Sequence, residues 1–421
     1  MSYPLMISLI IEHMIGLTDA VFLGRVGDVA LGACALGGVY YMAMFMLAFG
    51  FGFGAQIIIA RRNGERQGCY FMLVLAVALF AASQYFSPII LRDIIESPQV
   101  YGATADYLHW RTYGIFFSFL CVMFRAYYVG ITQTKILTVN SIVMLLSNVA
   151  LNYCLIFGKG GFPAAGIAGA AIASSVSEAV SLLFFIIYTS MTADKRKYGF
   201  RRAFTLRPHL LKGMLSISGW TMVQSFISVS IWFIFFLAIE HLGERPLAVT
   251  NIVRNISALL IMVISAFATT AGALISNQIG AGEQRCLFKT CGMTLKLTYA
   301  ILIPLLIILC LFPESVLRAF TDSPSLIAAS VNSVYVMASS TLIMAPSFIL
   351  FNAVSGTGNT RAGFIMEMIS LAVYTAVIYY GIIRLKPDVA LCWFSEHVYG
   401  VTLIFLAWWY LKSGKWRGKK V

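Results

Sequence analysis

The chain has 421 residues, 60% of them hydrophobic and only 11% charged, with a formal net charge of +13. A soluble globular chain is typically about 45–50% apolar and about 25% charged, so this one lacks the polar surface to coat a water-facing body; its outside must be lipid. The positive charge does not point to nucleic acid, because the bases sit in short loops between apolar runs, where membrane topology explains them.

A spanning helix needs about 20 mostly apolar residues. In chain order, runs that qualify lie at 3–23, 29–59, 70–91, 112–130, 136–157 and 165–189, then at 215–239, 247–275, 292–312, 326–354, 363–385 and 389–411. The expected fold is an all-α polytopic membrane protein of twelve transmembrane helices. With the N-terminus inside, the inner loops and tail hold 19 Lys or Arg against seven outside, and the acids run three inside to nine outside. This asymmetry predicts both termini in the cytoplasm.

The densest basic block is Lys195, Arg196, Lys197, Arg201, Arg202, Arg207 and Lys212, in the longest connector. It divides the chain into an N-terminal six-helix bundle (1–190), a basic cytoplasmic linker (191–214), a C-terminal six-helix bundle (215–411) and a basic tail (412–421). No basic leader and cleavage site precede the first run, so no signal peptide is expected. The abrupt start suggests that a short cytoplasmic lead is missing.

The halves repeat. Ala48-Phe49, Gly54-Ala55, Ile57 and Gly64-Glu65 recur as Ala266-Phe267, Gly272-Ala273, Ile275 and Gly282-Glu283, all at an offset of 218. Gly130 with Gln133-Thr134-Lys135 recurs as Gly356 with Asn359-Thr360-Arg361, offset 226, and Ser177-Glu178 recurs as Ser395-Glu396. Both copies start on the same side of the membrane, so two parallel bundles related by a pseudo-twofold along the membrane normal are expected. A site between halves, exposed alternately by rocking, is a transporter architecture; a duplicated scaffold of other use is the plain alternative.

Five acids fall inside apolar runs: Glu12, Asp19, Glu178, Glu367 and Glu396. Ionisable groups in a bilayer are costly, so each is a functional candidate. Asp19 leads, with Thr18 beside it and Glu12 two helical turns away on the same face, where two carboxyls could couple. An interfacial Asp19 paired with Arg25, and a plain interhelical bond from Glu12, are the structural alternatives. Asn148 and Asn152, four apart, share a face and could line a polar pocket near Asp19 or simply glue helices. Glu178 and Glu396 occupy equivalent places, which suits structural bonds as well as function. Glu367 lies near one end of its run. The membrane-level bases are Arg111, Arg125, Arg254 and Lys296; Arg254, flanked by Asn251 and Asn255, is expected to pair with an acid. Five acids against four bases favour cationic ligands slightly. Some of the many aromatics could line a cavity for flat cations.

No cysteine pair has zinc-ligand spacing, and no P-loop, HExxH, GxSxG or Rossmann glycine pattern appears. No metal, no cofactor, no catalytic residues and no direct use of ATP are therefore expected.

Asp19-Ala-Val-Phe22-Leu-Gly24-Arg-Val-Gly27 with Ala30-Leu31, and Gly54-Ala55 through Arg61-Arg62-Asn-Gly64-Glu65, resemble the first two helices of multidrug and toxic compound extrusion (MATE) transporters. Asn148 through Gly158 and on to Ala173 resembles that family's helix 5/6 region. The resemblance covers nearly the whole chain. It implies twelve helices in a V-shaped pair of bundles and drug export driven by protons or sodium. The family's functional helix-1 acid falls on Asp19. Some members pair it with a helix-5 Asp, where this chain has Asn152. Acids used in helices 7 and 10 by NorM-like members fall on Ser228 and Pro346, so the chain looks more like the DinF-like branch, with coupling in the N-terminal half.

The expected function is secondary antiport in a bacterial inner membrane: export of small, often cationic and aromatic compounds in exchange for protons, preferred over sodium. Contacts with membrane lipid, no nucleic acid and a monomer are expected. The rivals are a flippase for lipid-linked saccharides, whose cavity should be cationic, and a channel or sensor, which would show conductance or a partner.

Overall fold

The computed structural model describes residues 2–62, 68–94, 98–192, 208–240, 242–318, 320 and 323–417. Lys195 to Arg207 of the basic block, Gly64-Glu65 and Lys419-Lys420 lie outside the described residues. Helices α1 (Ser2–Gly24), α2 (Asp28–Arg62), α3 (Gly68–Ile94), α4 (Pro98–Arg111), α5 (Gly114–Gly130), α6 (Lys135–Phe157) and α7 (Gly166–Thr192) make up most of the first half. The second holds α8 (Pro208–Glu240), α9 (Glu244–Gly280), α10 (Leu287–Leu311), the short α11 (Pro313–Leu317), α12 (Pro324–Gly356) and α13 (Thr360–Val377). A π-helical stretch, Ile378–Arg384, extends α13, and α14 (Val389–Cys392) precedes α15 (Phe394–Ser413). No strand occurs among the described residues.

Eleven helices are long and apolar enough to cross a membrane, and a twelfth span forms if α4 and α5 count as one, bent by 50°. Here the structure departs from the expectation of a single run at 112–130. The span starts at Pro98, and sequence reading loses its first half because Gln99, Asp106, His109 and Arg111 dilute the apolar signal. The repeat clarifies it. At the offset of 226, Pro98 maps to Pro324 and Gly130 to Gly356, so α4 and α5 together match α12 end to end. The counterpart in the second half is one unbroken helix.

The chain divides into two compact units, Tyr3–Met222 and Val223–Val421. The first takes in the start of α8, where the Thr221 hydroxyl donates to the Gly50 carbonyl at 2.6 Å. In the second, α9 and α12 pack backbone to backbone. Helices in lipid associate chiefly by close van der Waals fit, which small residues permit. A Cβ on Gly356 would lie 2.5 Å from the Gly272 carbonyl oxygen, and one on Gly272 would lie 2.9 Å from that of Asn352. The recurring Gly-Ala pair and the recurring loop glycine thus meet at one crossing. Gly356→Val is expected to cost about 1–3 kcal/mol through overpacking, read from reversible unfolding in mixed micelles.

The turn after α5 carries strain that its copy avoids. Thr132 has φ 65, while Gly358, its equivalent at the same offset, has φ 83. A β-branched residue is a true outlier there, whereas Gly adopts it freely. Thr132 is exposed, so Thr132→Gly removes little packing and should raise unfolding stability by about 1 kcal/mol.

Candidate functional site

Three helices of the first unit bring together a polar seam. Side chains four apart stack on one helix face, and α6 places Asn140, Met144, Asn148 and Asn152 on such a row. Ser174, Glu178 and Ser181 line α7, and Ser8, Glu12 and Asp19 line α1. The partners fix the helix directions. The Thr138 hydroxyl donates to the Pro4 carbonyl at 2.7 Å, and the Asn152 amide donates to Asp19 at 2.6 Å, so α1 and α6 run parallel.

Asp19 is 8% exposed. Its Oδ1 accepts from Asn152 Nδ2 at 2.6 Å and its Oδ2 from the Ser174 hydroxyl at 2.9 Å. Asn152 also donates to Asn148 Oδ1 at 3.0 Å, and Asn148 donates to Ser174 at 3.2 Å. Asp19 thus sits in a closed ring of neutral groups, without a cationic partner among the described residues, and Arg25 is not its partner. Asn152 spends its amide protons on Asp19 and Asn148, and its own carbonyl oxygen is buried without a partner. Asn148 and Asn152, singled out from spacing, are both at the site. Ser174 was missed: a lone serine in a helix rich in Ala and Ser carries no periodic signal.

Glu12 does not join Asp19. Seven residues at about 1.5 Å each separate them by about 10 Å along α1, and Glu12 has its own cation. Arg125 Nη1 donates to both Glu12 carboxylate oxygens, at 2.7 and 2.6 Å. Ser8 and Ser141 add hydroxyls at 3.1 and 3.0 Å. Thr18 stands apart too: it is half-buried, and its hydroxyl donates to the Met14 carbonyl at 2.8 Å.

Glu178 anchors the helix break. Arg111, the last residue of α4, grips it in bidentate fashion at 2.6 and 3.0 Å. The guanidinium also lies 3.7 Å from the centre of the Tyr41 ring, whose hydroxyl donates toward Glu178 at 3.3 Å. A broken helix exposes carbonyls that need donors. The Ser175 hydroxyl supplies one to Trp110 at 3.2 Å. Gly114 opens α5 against this pair, and a Cβ there would strike Arg111 and Glu178.

The second unit treats its acids differently. Glu396, the sequence equivalent of Glu178, accepts from the Tyr374 hydroxyl at 2.8 Å. The residue equivalent to Arg111 is Met337, so Glu396 has no guanidinium there, and α12 is a single unbroken helix. Glu367 is 4% exposed and accepts from Ser228 at 2.9 Å and Tyr399 at 2.8 Å. A carboxyl from α13 therefore meets the α8 serine that stands at the resemblance's helix-7 acid position. Arg254 pairs with no acid among the described residues. It lies 5.3 Å from the Phe236 ring centre, and its Nε has no partner.

Beside the Asp19 ring, the first unit holds a cavity of about 140 Å³ lined by residues of α1, α2, α5, α6 and α7, Glu12, Arg125, Asn140 and Glu178 among them. Its lining has two acids, Glu12 and Glu178, and one base, Arg125; each acid is paired, Glu178 with Arg111 from outside the lining. The slight excess of membrane-level acids noted in the sequence does not reach this cavity as net negative charge.

The MatE family profile matches residues 4–154 and 221–380. Among curated relatives, the probable multidrug resistance protein NorM of Mannheimia succiniciproducens is 25% identical over 292 residues, covering 66% of this chain and 63% of the relative. The match to the Pasteurella multocida protein of the same name covers 62% of it, so the chain spans a little under two thirds of both relatives. The Shewanella oneidensis protein of that name is 24% identical over 386 residues, 88% of this chain and 83% of that one. Among solved structures, a multidrug resistance MATE family transporter of the MOP superfamily in an outward-facing conformation superposes with TM-score 0.87 at 18% identity, over 98% of this chain and 94% of that one. A MOP superfamily transporter from Pyrococcus furiosus, described as having a binding pocket of reverse polarity, superposes with TM-score 0.86 at 19% identity, over 98% and 94%. The profile covers well over half of the sequence, and the all-α fold agrees with these structures: the chain belongs to the MatE family.

Proposed function

We infer that this chain is a secondary antiporter of a bacterial inner membrane that exports small organic compounds in exchange for protons, with both termini in the cytoplasm. It is read as a transporter, not an enzyme. The observation that carries the reading is the Asp19 ring. A buried carboxyl whose direct bonds come only from an amide and a hydroxyl is in no ion pair, the nearby Arg111 being held by Glu178, so it is free to exchange one mobile cation for another. The ring suits both protonation states. The ionised form accepts from Asn152 and Ser174. The protonated form can donate to the orphaned Asn152 oxygen once that amide turns over. A proton needs no ligand beyond these groups, which supports protons over sodium. It also favours coupling in the N-terminal unit, as the DinF-like resemblance implies.

The ring joins α1 to α6 and α7 through polar bonds. A change of charge at Asp19 therefore reseats α1 along the seam that leads to the cavity. A ligand shifts a conformational equilibrium only through differential affinity for the two states, and the seam gives ion and substrate a shared element to bias. The cavity offers one guanidinium, Arg125, already paired with Glu12, where a pyrophosphate would need several cations, which favours drug export over flipping of lipid-linked saccharides.

Ethidium efflux from cells lacking their own pumps tests the reading. Efflux that a protonophore abolishes and that persists without sodium is expected. Efflux that persists with the protonophore and stops without sodium would overturn the proton assignment. No efflux of ethidium or other organic cations would shift the reading to the flippase.

A further inference from the structure

The two ion pairs of the first unit differ in access. Arg111 and Glu178 keep side-chain exposures of 12% and 8%, whereas Arg125 and Glu12 keep 23% and 29% and line the cavity. A ligand in the cavity therefore meets the Glu12–Arg125 pair first. Arg125 spends one nitrogen, Nη1, on both carboxylate oxygens and reaches Ser8 with Nη2 only at 3.4 Å. A guanidinium has five N–H donors, so it retains capacity for a second carboxylate.

Consider what each class of ligand would do to this pair. A lone cation on Glu12 would compete with Arg125 and strand the guanidinium at membrane depth. A lone anion on Arg125 would strand Glu12. Leaving one member of a part-buried pair uncompensated at membrane depth is unfavourable. A ligand carrying both charges strands neither. The facing wall is apolar, with Phe45, Met144 and Phe185, and the neighbouring Asn140 and Ser181 bond to each other at 2.8 Å. A cavity of about 140 Å³ is well beyond what one or two waters need and admits a compact organic body.

We propose that this cavity binds compact zwitterions of the amino-acid type, with the ammonium on Glu12, the carboxylate on Arg125 and the apolar body against Phe45, Met144 and Phe185. The assignment rests on the exporter reading only in taking the ligand as cargo.

Equilibrium binding tests it on the full chain in lipid nanodiscs, where no ion gradient is needed. Radiolabelled phenylalanine is competed with 2-phenylethylamine and 3-phenylpropionate, which keep the body and one charge each. Each analogue is expected to bind at least tenfold more weakly than phenylalanine. Arg125→Gln should erase the advantage over the amine, and Glu12→Gln the advantage over the acid. The charge-swapped double variant Glu12→Arg/Arg125→Glu should regain the preference for the zwitterion. Analogue binding equal to that of phenylalanine would overturn the proposal. So would absent phenylalanine binding by wild-type protein that melts cooperatively, or a folded double variant that fails to regain the preference. Those failures leave Asp19-coupled export standing. Conversely, a zwitterion preference without coupled efflux would keep the site and remove the exporter.

Discussion

Arg111→Met is expected to lower stability by about 3–5 kcal/mol, the cost of leaving a buried charge without its partner. Glu178 would be left with the Tyr41 hydroxyl at 3.3 Å as its one side-chain donor. Arg111 also loses its stacking on Tyr41. Adding Glu178→Gln should restore most of the loss, because a neutral amide tolerates burial better than an orphaned carboxylate. The repeat sharpens the expectation. Met occupies the equivalent position on unbroken α12, so the Arg111→Met/Glu178→Gln pair should also relax the 50° bend between α4 and α5. Reversible unfolding in mixed micelles gives the energies, and spin labels near Pro98 and Gly130 give the end-to-end distance, which should lengthen. A single variant within about 1 kcal/mol of the parent would mean that the pair is not what holds the break.

Asp19→Asn should reduce proton-driven efflux on the order of 100-fold, a loss of about 2.7 kcal/mol in rate terms, while leaving the fold intact. An amide of the same shape still accepts from Asn152 and can donate to Ser174, so unfolding stability should change by less than about 1 kcal/mol. Thr18→Val is the contrasting control one residue away. Thr18 is half-buried and its hydroxyl bonds within its own helix, apart from the Asp19 ring, so efflux should stay within about twofold of the parent. A loss of efflux in Thr18→Val comparable to that in Asp19→Asn would locate the effect in α1 generally and not in the carboxyl.

Much of this was legible in the sequence, and the gaps have physical causes. Runs of apolar residues mark the spans because lipid demands length and hydropathy together. The run that failed, α4, is a span half diluted by exposed Gln99, Asp106 and His109 and by Arg111, which turns inward to Glu178. Asp19 stood out because a carboxyl in a bilayer is rare, and Asn148 and Asn152 because i, i+4 spacing fixes a shared face. Helical spacing said nothing about which helices touch. Glu12 shares a face with Asp19, yet its partner, Arg125, comes from α5, 113 residues away. Glu178 and Glu396 match in sequence and differ in partners because Arg111 has no copy in the second half. Arg254 sat among asparagines that suggested a polar niche, but no described acid faces it. Such pairings depend on how helices are laid side by side, and no local pattern records that.

The most direct test of the central claim is proton release on substrate binding. The protein, in weakly buffered detergent solution with a pH-indicator dye, is mixed with ethidium near neutral pH. Exchange at Asp19 requires the bound proton to leave as the substrate binds. Wild type should acidify the medium in proportion to the ethidium bound, and Asp19→Asn should not. Equal release from both, or ethidium binding by wild type with no release, would contradict the account.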